Sequence, residues 1–150
     1  AGMQLALGAD FRIATPACEM SIMEAKWGLL PDMAASVTLR SLVGLDRAKE
    51  LSMTARVVSG IQAREIGLVS HVSDDPMQHA MELAREISQR SPDAVAGIKS
   101  IFNATTGRSE YRTLAMERKW QLRLLRGTNF VRSFQRDKDP TVPFEPRRWE

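Results

Sequence analysis

Within the stretch Glu19 to Asp32, EMSIMEAKWGLLPD, a single carboxylate at Glu24 stands among Ile22, Met23, Ala25 and Trp27. A carboxylate in apolar surroundings suits a general acid or base working near neutral pH. The same residue type also closes strand ends by capping or ion pairing, so the pattern leaves both roles open. Asp32, at the end of the stretch, is placed to cap the helix that follows. His71, His79 and the lone Cys18 give neither metal-ligand spacing nor a disulfide framework, so no metal is expected. From Arg108 onward there are 11 Lys or Arg against 6 Asp or Glu, whereas residues 1–107 carry 10 against 12. A basic region of this kind can meet phosphates of a nucleotide-like ligand, nucleic acid or an acidic neighbouring subunit, or can simply be a solvated helix face.

The elements that must position these groups are marked by caps and glycines. Ala1 to Leu7 reads as an apolar helix ended by Gly8, followed by short strands at Phe11–Ile13 and Glu19–Met23. Asp32 and Asp46 are expected to cap helices over Met33–Val43 and Arg47–Thr54, with Gly44 between them. Ser59 opens a two-turn helix stopped at Gly67, and a strand then runs to Val72. Asp75-Pro76 and Ser91-Pro92 each place proline at the first helical position. A longer helix is predicted over Ser109–Arg126, and a last short one is capped by Thr128. The tail from Asp137, with Pro140, Pro143 and Pro146, reads as extended. Strands and helices alternate through residue 73, and residues 74–150 read as purely helical before the tail.

At 150 residues, 43% hydrophobic and 26% charged, the chain has the makeup of one globular domain with a core. No apolar run approaches the roughly 20 residues that span a bilayer, and nothing at the start resembles a signal peptide, so the cytoplasm is the expected compartment. The apolar opening suggests that the chain begins in mid-domain.

The opening Ala1-Gly2-Met3-Gln4-Leu5-Ala6 through Asp10, the Glu24 segment with Gly28 and Pro31, and the block Ile61-Gln62-Ala63-Arg64-Glu65-Ile66-Gly67-Leu68-Val69 together resemble the crotonase family, the enoyl-CoA hydratase and isomerase superfamily. The resemblance implies an α/β fold: residues 1–73 form the second half of a β-β-α superhelix, and residues 74–150 form C-terminal trimerisation helices with an extended tail. It further implies a homotrimer or hexamer, an acyl-CoA thioester as substrate, and no other cofactor. Such enzymes hold an enolate with two backbone N–H donors, each worth on the order of 3 kcal/mol in the transition state. Ala1 falls at one donor, and the other lies upstream of this stretch in relatives, so residues 1–150 alone are expected to be inactive.

By the same resemblance Glu24 moves the proton at the substrate α-carbon, and Gln4 occupies the place of a second glutamate used by hydratases. An amide does not accept that proton, so isomerisation by one carboxylate is the expected chemistry. Asp32, eight residues after Glu24, matches the spacing of a second proton-transfer acid in the dienoyl-CoA isomerase branch. A hydratase that uses Asp32 or another acid in place of Gln4 is the alternative, as is a silent or RNA-associating homologue. Few exposed aromatics argue against nucleic acid held by stacking. Arg132, Phe134 and Lys138, with Arg136 and Phe130 beside them, are the expected contacts to CoA.

Overall fold

Helix boundaries follow the local chemistry at some positions and the tertiary contacts at others. The computed structural model describes residues 1–105 and 107–149, which fall into two compact units, Ala1–Met81 and Glu82–Glu150.

The first unit contains α1 (Gly2–Ala6), β1 (Ile13–Ala14), a 3-10 turn (Glu24–Trp27), α2 (Ala35–Val43), α3 (Leu45–Thr54), α4 (Gly60–Glu65) and β2 (His71–Val72). β1 and β2 run parallel, pairing Ile13 with His71 and Ala14 with Val72. The strands expected at Phe11–Ile13, Glu19–Met23 and after Gly67 are therefore shorter than predicted. From Glu19 to Met23 only Met20 is paired, in an antiparallel bridge to Val58. Strand length is set by the partner backbone available, and here that partner is two residues or one. Among the described residues the chain is mostly helical with one small sheet.

Ser59 caps α4 as expected: its hydroxyl accepts from Gln62 N (3.2 Å) while the Gln62 side chain accepts from Ser59 N (3.0 Å). Neither aspartate cap ahead of α2 or α3 forms. α2 is preceded by Ala34 in a left-handed conformation (φ 61°), and Gly44 (φ 84°) both ends α2 and starts α3. A one-residue joint leaves no room for Asp46 outside the helix. Asp46 instead lies in the first turn of α3, where its charge complements the helix dipole. The core of this unit joins Ile22, Ala35, Leu39, Val43, Leu51, Val58, Ala63 and Leu68, so α2, α3 and α4 all turn an apolar face inward.

The boundary between the units falls within α5 (Pro76–Ser88), somewhat beyond the change in texture near Asp74. The second unit holds α6 (Pro92–Ala104), α7 (Glu110–Leu125) and α8 (Thr128–Lys138). Ser91 accepts from Ala94 N (3.4 Å) at the start of α6. Gly127, rather than Thr128, is the N-cap of α8. Gly97 lets α7 come close: a Cβ there would lie 2.9 Å from the Trp120 ring. The tail is extended, as the prolines demand, and is tied down by the buried pair Asp93 and Asn129. Asn129 donates to Asp93 Oδ2 (2.8 Å) and accepts from Glu145 N (2.8 Å), while Arg148 N donates to Asp93 Oδ1 (2.7 Å).

Candidate active site

Ile22 is buried at 1% exposure and anchors the chain in the core two residues before Glu24. The backbone then tightens into the 3-10 turn, which Gly28 closes at φ 72°. This directs the half-buried Glu24 side chain to α1, where Gln4 Nε2 donates to Oε1 at 2.6 Å. The second oxygen, Oε2, is buried and has no hydrogen-bond partner among the described residues. A buried carboxylate oxygen left without a donor is costly to stability, and such atoms call for a functional explanation.

Gln4 is itself buried, at 5% exposure. Its Oε1 accepts from Met33 N at 3.1 Å, so the one amide joins Glu24 to the turn that leads into α2. The two partners fix its orientation, because flipping the amide would set donor against donor at Met33 and acceptor against acceptor at Glu24. The next residue, Ala34, holds the left-handed conformation noted above.

The apolar surroundings expected for Glu24 are only partly present. Ile22 is buried, but Met23, Trp27, Leu29 and Leu30 are exposed, Trp27 at 71% and Leu30 at 73%. Trp27 and the two leucines are therefore surface residues and not core. The neighbour that defines the Glu24 environment is the Gln4 amide, which the sequence pattern around Glu24 did not reveal. Asp32 is exposed, caps no helix, and makes no hydrogen bond or ion pair among the described residues. Ala1 is the N-cap of α1, three residues before Gln4.

A cavity of about 740 Å³ adjoins Ala1, Gly2, Met3, Phe11 and Arg12, and Glu24 is not among its lining residues. The hydrogen bonds, not this hollow, mark the site. At its edge Arg12 donates to the carbonyls of Leu68 and Ala9, each at 2.8 Å, and burial pushes its guanidinium below the ordinary value.

In the second unit Arg132 donates to the carbonyl of Pro143 and pairs with Glu145. Arg136 bonds Val142 O and Gln89 (2.9 Å) and lies 4.8 Å over the Phe144 ring. Both arginines thus hold the tail. Phe134 is exposed and meets Phe130 edge to face at 5.1 Å. Lys138 ends α8 in solvent, with no partner among the described residues. Asp93 and Asn129 were not anticipated as a buried pair. A lone asparagine after a glycine stop carries no sequence signal that sets it apart from a turn residue.

The model of the family described as Enoyl-CoA hydratase/isomerase matches residues 1–138. The chain belongs to the enoyl-CoA hydratase/isomerase family. A putative enoyl-CoA hydratase/isomerase from Bacillus subtilis, YngF, is 38% identical over 120 residues, covering 79% of this chain and 46% of the relative. The mouse mitochondrial methylglutaconyl-CoA hydratase is 34% identical over 108 residues, covering 68% of this chain and 34% of the relative. Among solved structures, a probable enoyl-CoA hydratase/isomerase from Mycobacterium abscessus superposes with a TM-score of 0.88 at 30% identity, covering 95% of this chain and 59% of that one. This member of the enoyl-CoA hydratase/isomerase family therefore shares the crotonase fold, and the chain spans less than half the length of the curated relatives it matches. No helix among its described residues is long and apolar enough to cross a membrane.

Proposed function

We propose that this chain carries the proton-transfer part of an acyl-CoA isomerase in which Glu24 is the single shuttle. The observation that carries the reading is the Glu24 carboxylate with one oxygen held by an amide and the other unpartnered. Glu24 takes the α-proton of a 3-enoyl thioester, and the C–H electron pair passes into the thioester as an extended enolate. Return of the proton to the γ-carbon leaves the double bond between the α- and β-carbons. The reaction needs no further cofactor, since the proton and the electron pair both stay with the substrate. The developing oxyanion would be met by backbone N–H donors, one of them at the position of Ala1. Phe134 and Lys138 are the proposed contacts to the CoA nucleotide, and Arg132 would join them only by exchanging its bonds to Pro143 and Glu145 for the ligand; the proposed assembly is a cytoplasmic trimer or hexamer formed through the C-terminal helices.

The names of relatives such as methylglutaconyl-CoA hydratase favour water addition as a second reading. In that case a group other than Gln4 must activate water, and Asp32, exposed and without a hydrogen bond or ion pair among the described residues, is the acid proposed for that role. Isomerisation of a 3-enoyl-CoA and hydration of crotonyl-CoA, measured side by side on the full-length protein, separate the two. Glu24→Gln should lower the isomerisation rate by about 10²–10⁴-fold, the range of general acid-base catalysis. Full activity in that variant would remove Glu24 from the mechanism.

A further inference from the structure

We propose that the C-terminal half of α7 and the tail beyond α8 form a seat for a soluble oligophosphate, a ligand that presents two or more phosphate groups in a row. On α7, Arg118, Lys119, Leu122, Arg123 and Arg126 recur at spacings of three and four residues and so share one face. Arg148 and Trp149 of the tail complete the wall of a groove of about 550 Å³ above that face. The tail is fixed there: Arg148 N donates to the buried Asp93 at 2.7 Å, and the Trp149 ring lies so close to Gly127 that a Cβ there would stand 2.9 Å from it. The Arg148 guanidinium lies 5.5 Å from the centre of the same ring. The fold thus brings a fifth cation to a face that already carries four.

Among the described residues none of these five cations is in an ion pair, and no carboxylate lines the groove. Elsewhere in the same unit Arg132 pairs with Glu145 and Arg90 with Glu86. Like charges gathered without a counter-charge repel one another, and an anion in the groove turns that cost into attraction. Four of the five are arginines, whose planar forks take phosphate oxygens in pairs. Arg118 and Arg126 are separated by about 12 Å along the helix axis, so the cations meet a length of charge and not a point. That spread favours linked phosphates over a single orthophosphate. The recess, with Arg148 facing the helix, favours a soluble ligand over the flat surface of a membrane.

The test is calorimetric titration of the full-length protein with sodium tripolyphosphate, with orthophosphate and vesicles of phosphatidylserine and phosphatidylcholine as parallel arms. Tripolyphosphate should bind once per chain, at least about tenfold more tightly than orthophosphate, and should weaken as salt is raised. Arg118→Gln with Arg126→Gln should weaken it at least about tenfold. Arg112→Gln with Arg147→Gln removes the same charge from exposed positions outside the groove and should leave the affinity within about threefold. Equal loss in the two double variants would show diffuse attraction to a basic surface and overturn the seat. Vesicle binding without tripolyphosphate binding, or equal affinity for orthophosphate, would overturn it as well. Arg118 and Arg126 are exposed, and should their double variant fail to fold, Lys119→Gln set against Arg112→Gln makes the same comparison with one charge. The binding arms need no turnover, so they stand whatever reaction Glu24 performs. In kinetics, KM for 3-enoyl-CoA should be the same in wild type and in Arg118→Gln with Arg126→Gln; a tenfold rise would assign these cations to the substrate's own phosphates and overturn a separate seat.

Discussion

At the scale of single residues, the site depends on one buried amide and one unusual backbone angle. Gln4 meets Glu24 with its nitrogen and Met33 with its oxygen, so both ends of the amide are used. Ala34 then follows in a left-handed conformation, which costs a residue with a side chain about 1–2 kcal/mol. Glycine relieves that strain but adds about 0.4–1 kcal/mol of unfolded-chain entropy. Relief of strain outweighs the entropy, so Ala34→Gly should stabilise the protein by about 0.5–1 kcal/mol in urea denaturation. The surroundings of Glu24 in the chain left a structural and a proton-transfer role open, and it was the resemblance to the family that singled it out. Its contact with Gln4 was not legible, because the two are 20 residues apart and no local pattern links them. The run Pro31-Asp32-Met33-Ala34-Ala35 likewise hides its left-handed residue, since no glycine marks it.

At the scale of elements, boundaries set by side chains close in sequence were readable, and those set by approach of distant backbone were not. The Ser59 capping box and the Ser91 cap need only residues three apart. The strands needed partners, and the partners proved short. Gly60 shows the same division. It opens α4 directly after Ser59, which reads as ordinary helix chemistry, yet a Cβ there would stand 1.9 Å from Thr15 O, at the end of β1. The obstacle is backbone, which cannot rotate away. Gly60→Ala should therefore cost about 2–3 kcal/mol, as overpacking does. Any gain in helix propensity is at most about 1 kcal/mol. A fall in urea midpoint with an unchanged slope checks it; a neutral outcome would show that α4 and the Thr15 turn separate freely.

At the scale of the whole molecule, each unit is closed by contacts between residues far apart in sequence. In the second unit the extended tail is fastened by Asn129 and Asp93, both 2% exposed, across separations of 16 to 55 residues. Asn129→Ala leaves a buried carboxylate oxygen and the Glu145 N–H without partners, a loss of about 1–3 kcal/mol for a buried group. Such a variant should unfold at lower urea, and trypsin should cut sooner after Arg147 and Arg148 than in wild type. Unchanged cleavage would mean that the arginine contacts to Pro143, Val142 and Glu145 suffice to hold the tail. The sequence by itself determined the family, the helix starts with local caps and the extended tail, because these depend on residue type and short spacing. Only the tertiary structure decided that Gln4 holds Glu24 by one oxygen, that Asp32 caps nothing, that Arg132 is engaged with the tail, and that the strands are two residues long. Each of these is settled by which distant group supplies a donor, an acceptor or a backbone edge, and spacing along the chain does not encode that.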